Sequence, residues 1–158
     1  MLNCEDPPVD ICLTIDQTRS VMTKNYQTMM EDMKTFLGYF QISREKTNFA
    51  IVTFNHDATV RVSFKDEVSK NMSLLHQVLT DMKSDQLGKP TRTDKALITT
   101  ATDVFNKKNG DRPNSPDVMV LITDGRSHPK SLPLDEAVEP LKVSRMTTCI
   151  RSVFDLDC

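Results

Sequence analysis

Three short polar clusters carry the side chains best suited to chemistry: Asp16-Gln17-Thr18-Arg19-Ser20, Lys89-Pro90-Thr91-Arg92-Thr93-Asp94 and Thr123-Asp124-Gly125. Their donors are carboxylate and hydroxyl oxygens, with no Cys or His among them, which suits a hard divalent cation such as Mg2+, Mn2+ or Ca2+. In Asp16-x-Thr18-x-Ser20 the alternate residues can turn three oxygens toward one point. Thr91 would add a fourth side-chain oxygen and Asp124 a carboxylate, directly or through water. Two carboxylates and three neutral hydroxyls leave a +2 ion electrophilic, weakly held and able to accept a carboxylate from another molecule. Each cluster alone has a plainer reading. Ser20 could cap a following helix, Thr91 or Thr93 could cap the next one, and Asp124-Gly125 could be a turn. All three fall at strand ends or helix starts, and together they favour the cation.

The elements that must position them follow from periodicity. Val9 to Ile15 is a mostly apolar run behind Pro7 and Pro8 and reads as a buried strand, with Cys12 expected in the core as a free thiol. Val21 to Phe40 has apolar residues at helical spacing. Phe49 to Phe54 reads as a second buried strand, and Ala58 to Phe64 alternates as a strand with one solvated face, joined to it by the short linker Asn55-His56-Asp57. Helices are predicted over 72–82 and 96–105, then a turn-rich loop over 107–116. Val118 to Ile122 is the most apolar strand, Leu134 to Met146 a helix interrupted by Pro140, and Thr147 to Phe154 a last strand. Strands alternating with helices imply a doubly wound α/β fold. Its sheet is mostly parallel with one antiparallel edge strand, and helices cover both faces. If the first and fourth strands are neighbours, Asp16 and Asp124 meet where ligands bind such sheets, beyond the carboxyl ends of the strands.

Composition narrows the function. The chain has 158 residues and a formal net charge of −2, with a pI of about 5.9, so it lacks the basic footprint of a nucleic-acid binder. No apolar run approaches the roughly 18 residues of a membrane span, and Met1 to Asp10 is too polar to read as a signal peptide. Four cysteines, Cys4, Cys12, Cys149 and Cys158, include no C-x-x-C pair. Histidines 56, 76 and 128 have no ligand spacing, and residues 126–130 read as a solvated loop bordering the cation site. Asn71-Met72-Ser73 fits the N-glycosylation acceptor pattern.

The segments VDICLTIDQTRSV, FAIVTFNHDATVRVSF, KPTRTDKAL and NGDRPNSPDVMVLITDGRS together resemble a von Willebrand factor type A domain. The flavour is that of matrix proteins such as collagen type VI and matrilins, with integrin I domains as cousins. The resemblance implies a metal-ion-dependent adhesion site whose ligands fall on Asp16, Thr18, Ser20, Thr91 and Asp124. It implies Mg2+, or Mn2+ or Ca2+, as the cation. The expected partner is a matrix or cell-surface protein that supplies an acidic side chain, and the expected setting is extracellular. By the same resemblance residues 1–8 are an N-terminal extension and 9–158 the domain, with a further strand and a final helix expected beyond Cys158. Thr18 stands where the family usually has Ser, and Gln17 and Arg19 stand where small residues are common.

Three functions compete on this reading: a cation-dependent binding module, a degenerate domain with a purely structural or metal-independent interaction role, and an aspartate-nucleophile phosphotransferase. The last usually needs a second Asp two residues after the first, and position 18 is Thr. G-x-G-x-x-G and G-x-x-x-x-G-K-[ST] are absent as well. The chain therefore reads as a binding module and not an enzyme.

Overall fold

The strand Val9–Asp16 (β1) is buried along nearly its whole length, because its two faces serve two different layers. Ile11, Leu13 and Ile15 join one core cluster and Cys12 joins the other, as the two-residue period of a strand requires. The computed structural model describes residues 7–84, 90–124, 127–140 and 147–152. Four further strands complete the sheet: β2 (Thr47–Phe54), β3 (Ala58–Val62), β4 (Asp117–Thr123) and β5 (Thr147–Ser152). The order is β3-β2-β1-β4-β5. Only the β2–β3 hairpin is antiparallel; β1 pairs in parallel with both β2 and β4, and β4 with β5. The predicted doubly wound, mostly parallel sheet with one antiparallel edge is what forms.

Helices α1 (Thr23–Leu37) and α2 (Met72–Asp81) cover one face. Tyr26, Met29, Met30 and Leu37 of α1, with Leu75 and Leu79 of α2, pack on Ile11, Leu13 and Ile15. An edge-to-face trio, Phe36, Phe40 and Phe49, with centroids 5.1 to 6.3 Å apart, holds the end of α1 over the start of β2. Helices α3 (Thr93–Thr99) and α4 (Leu134–Ala137) cover the other face, where Ala96, Leu97 and Ala137 meet Cys12, Val52 and Leu121. No helix among the described residues is long and apolar enough to cross a membrane.

Several boundaries differ from the periodicity. The helix predicted over 96–105 begins at Thr93 and widens into a π turn at Thr100–Val104. There Thr100 Oγ1 reaches Thr14 Oγ1 of β1 at 3.1 Å, a buried polar contact that an apolar stripe cannot announce. The predicted strand over 58–64 pairs only to Val62, because Ser63 turns away through its N–H and hydroxyl to Asp66 Oδ2, at 2.8 and 3.0 Å. The predicted helix over 134–146 is described only to Pro140; the rest of that segment, with Cys4 and Cys158, lies outside the described residues. Cys12 is buried and free as expected, and burial pushes its thiol up to about 12. His76 is half-buried, with its Nε2 out of solvent.

At the end of the sheet where β1 and β4 begin, charge does the fastening. Arg112 donates to the fully buried Asp10 through Nε at 3.0 Å, Nη2 at 2.7 Å and its backbone N–H at 3.0 Å. Nη2 also reaches the carbonyls of Val9 and Lys46, and Nη1 that of Arg44, tying the loop before β4 to β1 and to the entry of β2. Gly110 makes this loop possible. Its φ is +92°, and a Cβ would sit 2.3 Å from Lys65 N. Beside Asp10 stand Asp111 and Asp117, each with a buried oxygen that finds no hydrogen-bond donor among the described residues. Burial, and then the charge of Asp111, push Asp117 from the ordinary 3.8 up to about 7.

Two outcomes are expected. Arg112→Ala leaves the Asp10 carboxylate buried without a counter-charge and lowers unfolding free energy in urea by about 3–5 kcal/mol. Asp117 favours its protonated form in the folded state, so its contribution is full below its unfolded value and is lost as pH rises through 7. Asp117→Asn should therefore flatten the fall in melting temperature between about pH 4 and 7. An unchanged slope in that window would rule out the raised Asp117 carboxyl.

Candidate metal centre

The parallel pairing of β1 with β4 brings Asp16 and Thr123–Asp124 side by side, since Ile15 lies opposite Ile122 and the next residue of each strand follows in step. Asp16 is fully buried. Its Oδ1 accepts from the backbone N–H of Thr18 at 2.9 Å and from Thr18 Oγ1 at 2.7 Å. Its Oδ2 accepts from Thr123 Oγ1 at 2.9 Å. Four donated bonds to one carboxylate would be its ordinary capacity, and three are made here. Burial raises the Asp16 carboxyl above its ordinary value, the bonds from Thr18 and Thr123 oppose this, and the negative charge of Asp124 adds to it.

Thr18 is the hub. With its single proton committed to Asp16, its Oγ1 accepts from Ser20 Oγ at 2.6 Å and Thr91 Oγ1 at 3.2 Å. Ser20 is exposed, while Thr18 and Thr91 are buried. The chain reverses here through Val21 N–H to Thr18 O at 3.2 Å. Neither hydroxyl segment caps its helix. The residues before α1 and α3 are Met22 and Arg92, and neither makes a side-chain cap bond. The capping reading of Ser20 and Thr91 is overturned: both hydroxyls turn to Thr18 Oγ1. Thr93 likewise spends its oxygen on Ser127 Oγ at 2.7 Å.

The loops that carry Thr91 and Asp124 are buttressed. Thr91 O accepts from His128 N–H at 2.8 Å, and Arg92 N–H donates to Asn55 O of the β2–β3 turn at 2.8 Å. Arg92 also forks onto the buried Asp94 with bonds of 2.8 and 2.7 Å, which holds that carboxyl well below the usual range. Asp94 Oδ2 in turn accepts from Leu132 N–H at 3.2 Å. Residues 127–132 are thus bonded to the Thr91 loop and are more than the solvated stretch expected. Gly125 and Arg126 lie outside the described residues.

Of the five residues chosen from sequence, Asp16, Thr18, Ser20 and Thr91 form one continuous hydrogen-bonded group, and Asp124 is close enough for its charge to act on Asp16. The two bulky neighbours behave differently. Gln17 is buried, with its N–H on Phe54 O and its Oε1 3.4 Å from Arg61 Nη2, so it turns toward β2 and β3. Arg19 is exposed. Sequence reasoning missed Thr123, which fixes the second oxygen of Asp16, and the Arg92–Asp94 fork. It also missed Asp10, Asp111 and Asp117, whose ligand oxygens lie within 4.8 Å of one another. These sit at the opposite ends of β1 and β4, and Asp10 is already held by Arg112. A buried Asp inside an apolar run was the available signal for that group.

The donor set near Asp16 is all oxygen, converges on one point and has its second carboxylate alongside, which fits a hard cation. A family model, von Willebrand factor type A domain, matches residues 10–151. Among curated proteins the chain is similar to mouse integrin alpha-X, 27% identical over 137 residues, covering 85% of this chain and 11% of that protein. It is also similar to chicken matrilin-3, 25% identical over 126 residues, 78% of this chain and 27% of that protein. The chain thus spans about a quarter or less of the length of these relatives. Among solved structures it resembles proximal thread matrix protein 1 from the mussel byssus with a zinc-occupied MIDAS motif. That match has a TM-score of 0.82 and 21% identity, over 93% of this chain and 38% of the other.

Proposed function

The chain belongs to the von Willebrand factor type A domain family, and from that premise we propose that it is a divalent-cation-dependent protein-binding module of adhesion or matrix assembly, not an enzyme. Asp16, Thr18, Ser20, Thr91 and Asp124 are the proposed ligands, and Mg2+ is the proposed cation, with Mn2+ or Ca2+ able to replace it. The domain spans 9–158, with 1–8 as an extension, and works outside the cell. The observation that carries this reading is where the hydroxyls of Ser20 and Thr91 point. Both turn to Thr18, which is bonded to Asp16, when helix ends stood ready to receive them. A cation would supply the positive charge that a buried Asp16 beside Asp124 lacks. This chain's own residues orient the donors: Thr123 clamps Asp16, and the His128 N–H holds the Thr91 loop. When bound, the ion contributes a Lewis-acid position for a carboxylate of the partner.

A single observation favours the metal-free structural reading, namely the Arg19 charge between two proposed ligands. Titration separates the two. Millimolar Mg2+, Mn2+ or Ca2+ should raise the melting temperature, with a gain of about 2.7 kcal/mol at 100 times the dissociation constant. Asp124→Ala should abolish that gain and leave the apo melt close to wild type. Arg19→Ala should tighten Mn2+ binding by removing like charge. Melts indifferent to all three ions would leave the structural role standing. In pull-downs from matrix or cell-surface extracts, EDTA and Asp124→Ala should each release the partner, and Thr91→Ala should weaken retention less. A partner retained equally in every condition would place the binding surface elsewhere.

A further inference from the structure

Asn71 at the start of α2 has the geometry of a glycan attachment point, and we propose that it carries an N-linked oligosaccharide. Asn71-Met72-Ser73 is the only Asn-x-Ser/Thr match in the chain. Asn71 and Ser73 are both exposed. Asn71 is the N-cap of α2 in extended backbone, φ −134° and ψ 113°, and its Oδ1 accepts from Leu74 N–H at 3.1 Å. The cap uses the oxygen alone, which leaves Nδ2 for the sugar. Attachment therefore leaves the capping bond to Leu74 N–H in place. The chemistry is a substitution at the anomeric carbon of a lipid diphosphate-linked oligosaccharide. The Asn71 N–C bond forms, the carbon–oxygen bond to the diphosphate breaks, the lipid diphosphate leaves and the amide gives up one proton.

Placement supports the assignment. β3 runs away from the metal centre, with Ala58 opposite Phe54 and Val62 opposite Ile51. The segment after it is tied by Lys65 N–H to Asn109 O, at the end of the sheet where β4 begins. Asn71 follows that segment, so a glycan there stands at the pole opposite Asp16 and Asp124 and leaves the cation site open. The inference rests on the extracellular reading of the proposed function, and on nothing in its cation chemistry.

The test is translation of the full chain behind a cleavable secretion leader in the presence of microsomes. The protease-protected chain should gain one discrete mass step. Peptide N-glycosidase should reverse it and leave Asp at position 71. Asn71→Asp keeps an oxygen to cap α2 and should lose the step without lowering the melting temperature; Ser73→Ala should lose it as well. A protected chain of unmodified mass, or a step that survives both substitutions, overturns the proposal. The glycosylated chain should show the same cation-dependent rise in melting temperature as the Asn71→Asp chain. A rise lost only in the glycosylated chain would overturn the placement of the sugar away from the metal centre, and a rise absent from both would count against cation binding and leave the glycan standing.

Discussion

Parallel pairing of β1 with β4 is the constraint on which the rest depends, because it joins two segments a hundred residues apart and brings both of their ends together. β1 is flanked on its other side by β2 and covered on both faces, so from Asp10 to Asp16 none of its side chains has a solvent option. A strand in that position must be apolar where it meets helices and fully bonded where it is polar. Thr14, buried in mid-strand, meets Thr100, and the helix carrying Thr100 widens to a π turn at that point. The polar ends of β1, Asp10 and Asp16, face the same requirement and meet it by opposite means.

At Asp10 the solution is a guanidinium. Arg112 satisfies the carboxylate and three backbone carbonyls from neighbouring segments, so this end is mechanically joined. Arg suits such a buried fork, since its planar donors match a carboxylate and its charge cannot be titrated away. At Asp16 the partners are neutral hydroxyls from Thr18 and Thr123. They satisfy hydrogen bonding but cancel no charge, and Asp124 beside them adds a second negative group. At one end of the strand pair a cation meets the buried strand carboxylate, and at the other the printed partners of Asp16 are neutral hydroxyls.

The helix-start residues around Asp16 show the same division. Ser, Thr and Asp at such positions ordinarily serve orphan backbone N–H groups, and Asn71 does so for α2. Before α1 and α3 those N–H groups go without side-chain caps, while the nearby hydroxyls gather on Thr18. Forgoing a cap at two helices is the kind of local inconsistency found where function competes with stability.

Much of this was legible in the chain before folding. The alternation of short apolar runs with helical stripes was enough for the doubly wound sheet and its antiparallel edge, because burial on two faces leaves a periodic mark. The oxygen-only clusters at strand ends pointed to a hard cation, because ligand chemistry depends on residue type. What sequence could not decide was direction. Ser20 and Thr91 could each have been a helix cap, and only the approach of the 91 loop to the 18 turn shows that both hydroxyls meet Thr18 instead. Gln17 read as bulk at the rim until its place beneath Arg61 turned it toward β2 and β3. The Asp10–Arg112 fork and the Asp111–Asp117 pair were invisible, since their partners lie on segments about a hundred residues apart or on a turn-rich loop with no period. Local pattern records which face of an element is buried; which polar atoms meet across it is decided by tertiary contact alone, because hydrogen bonds and charge act over a few ångströms of space and not along the chain.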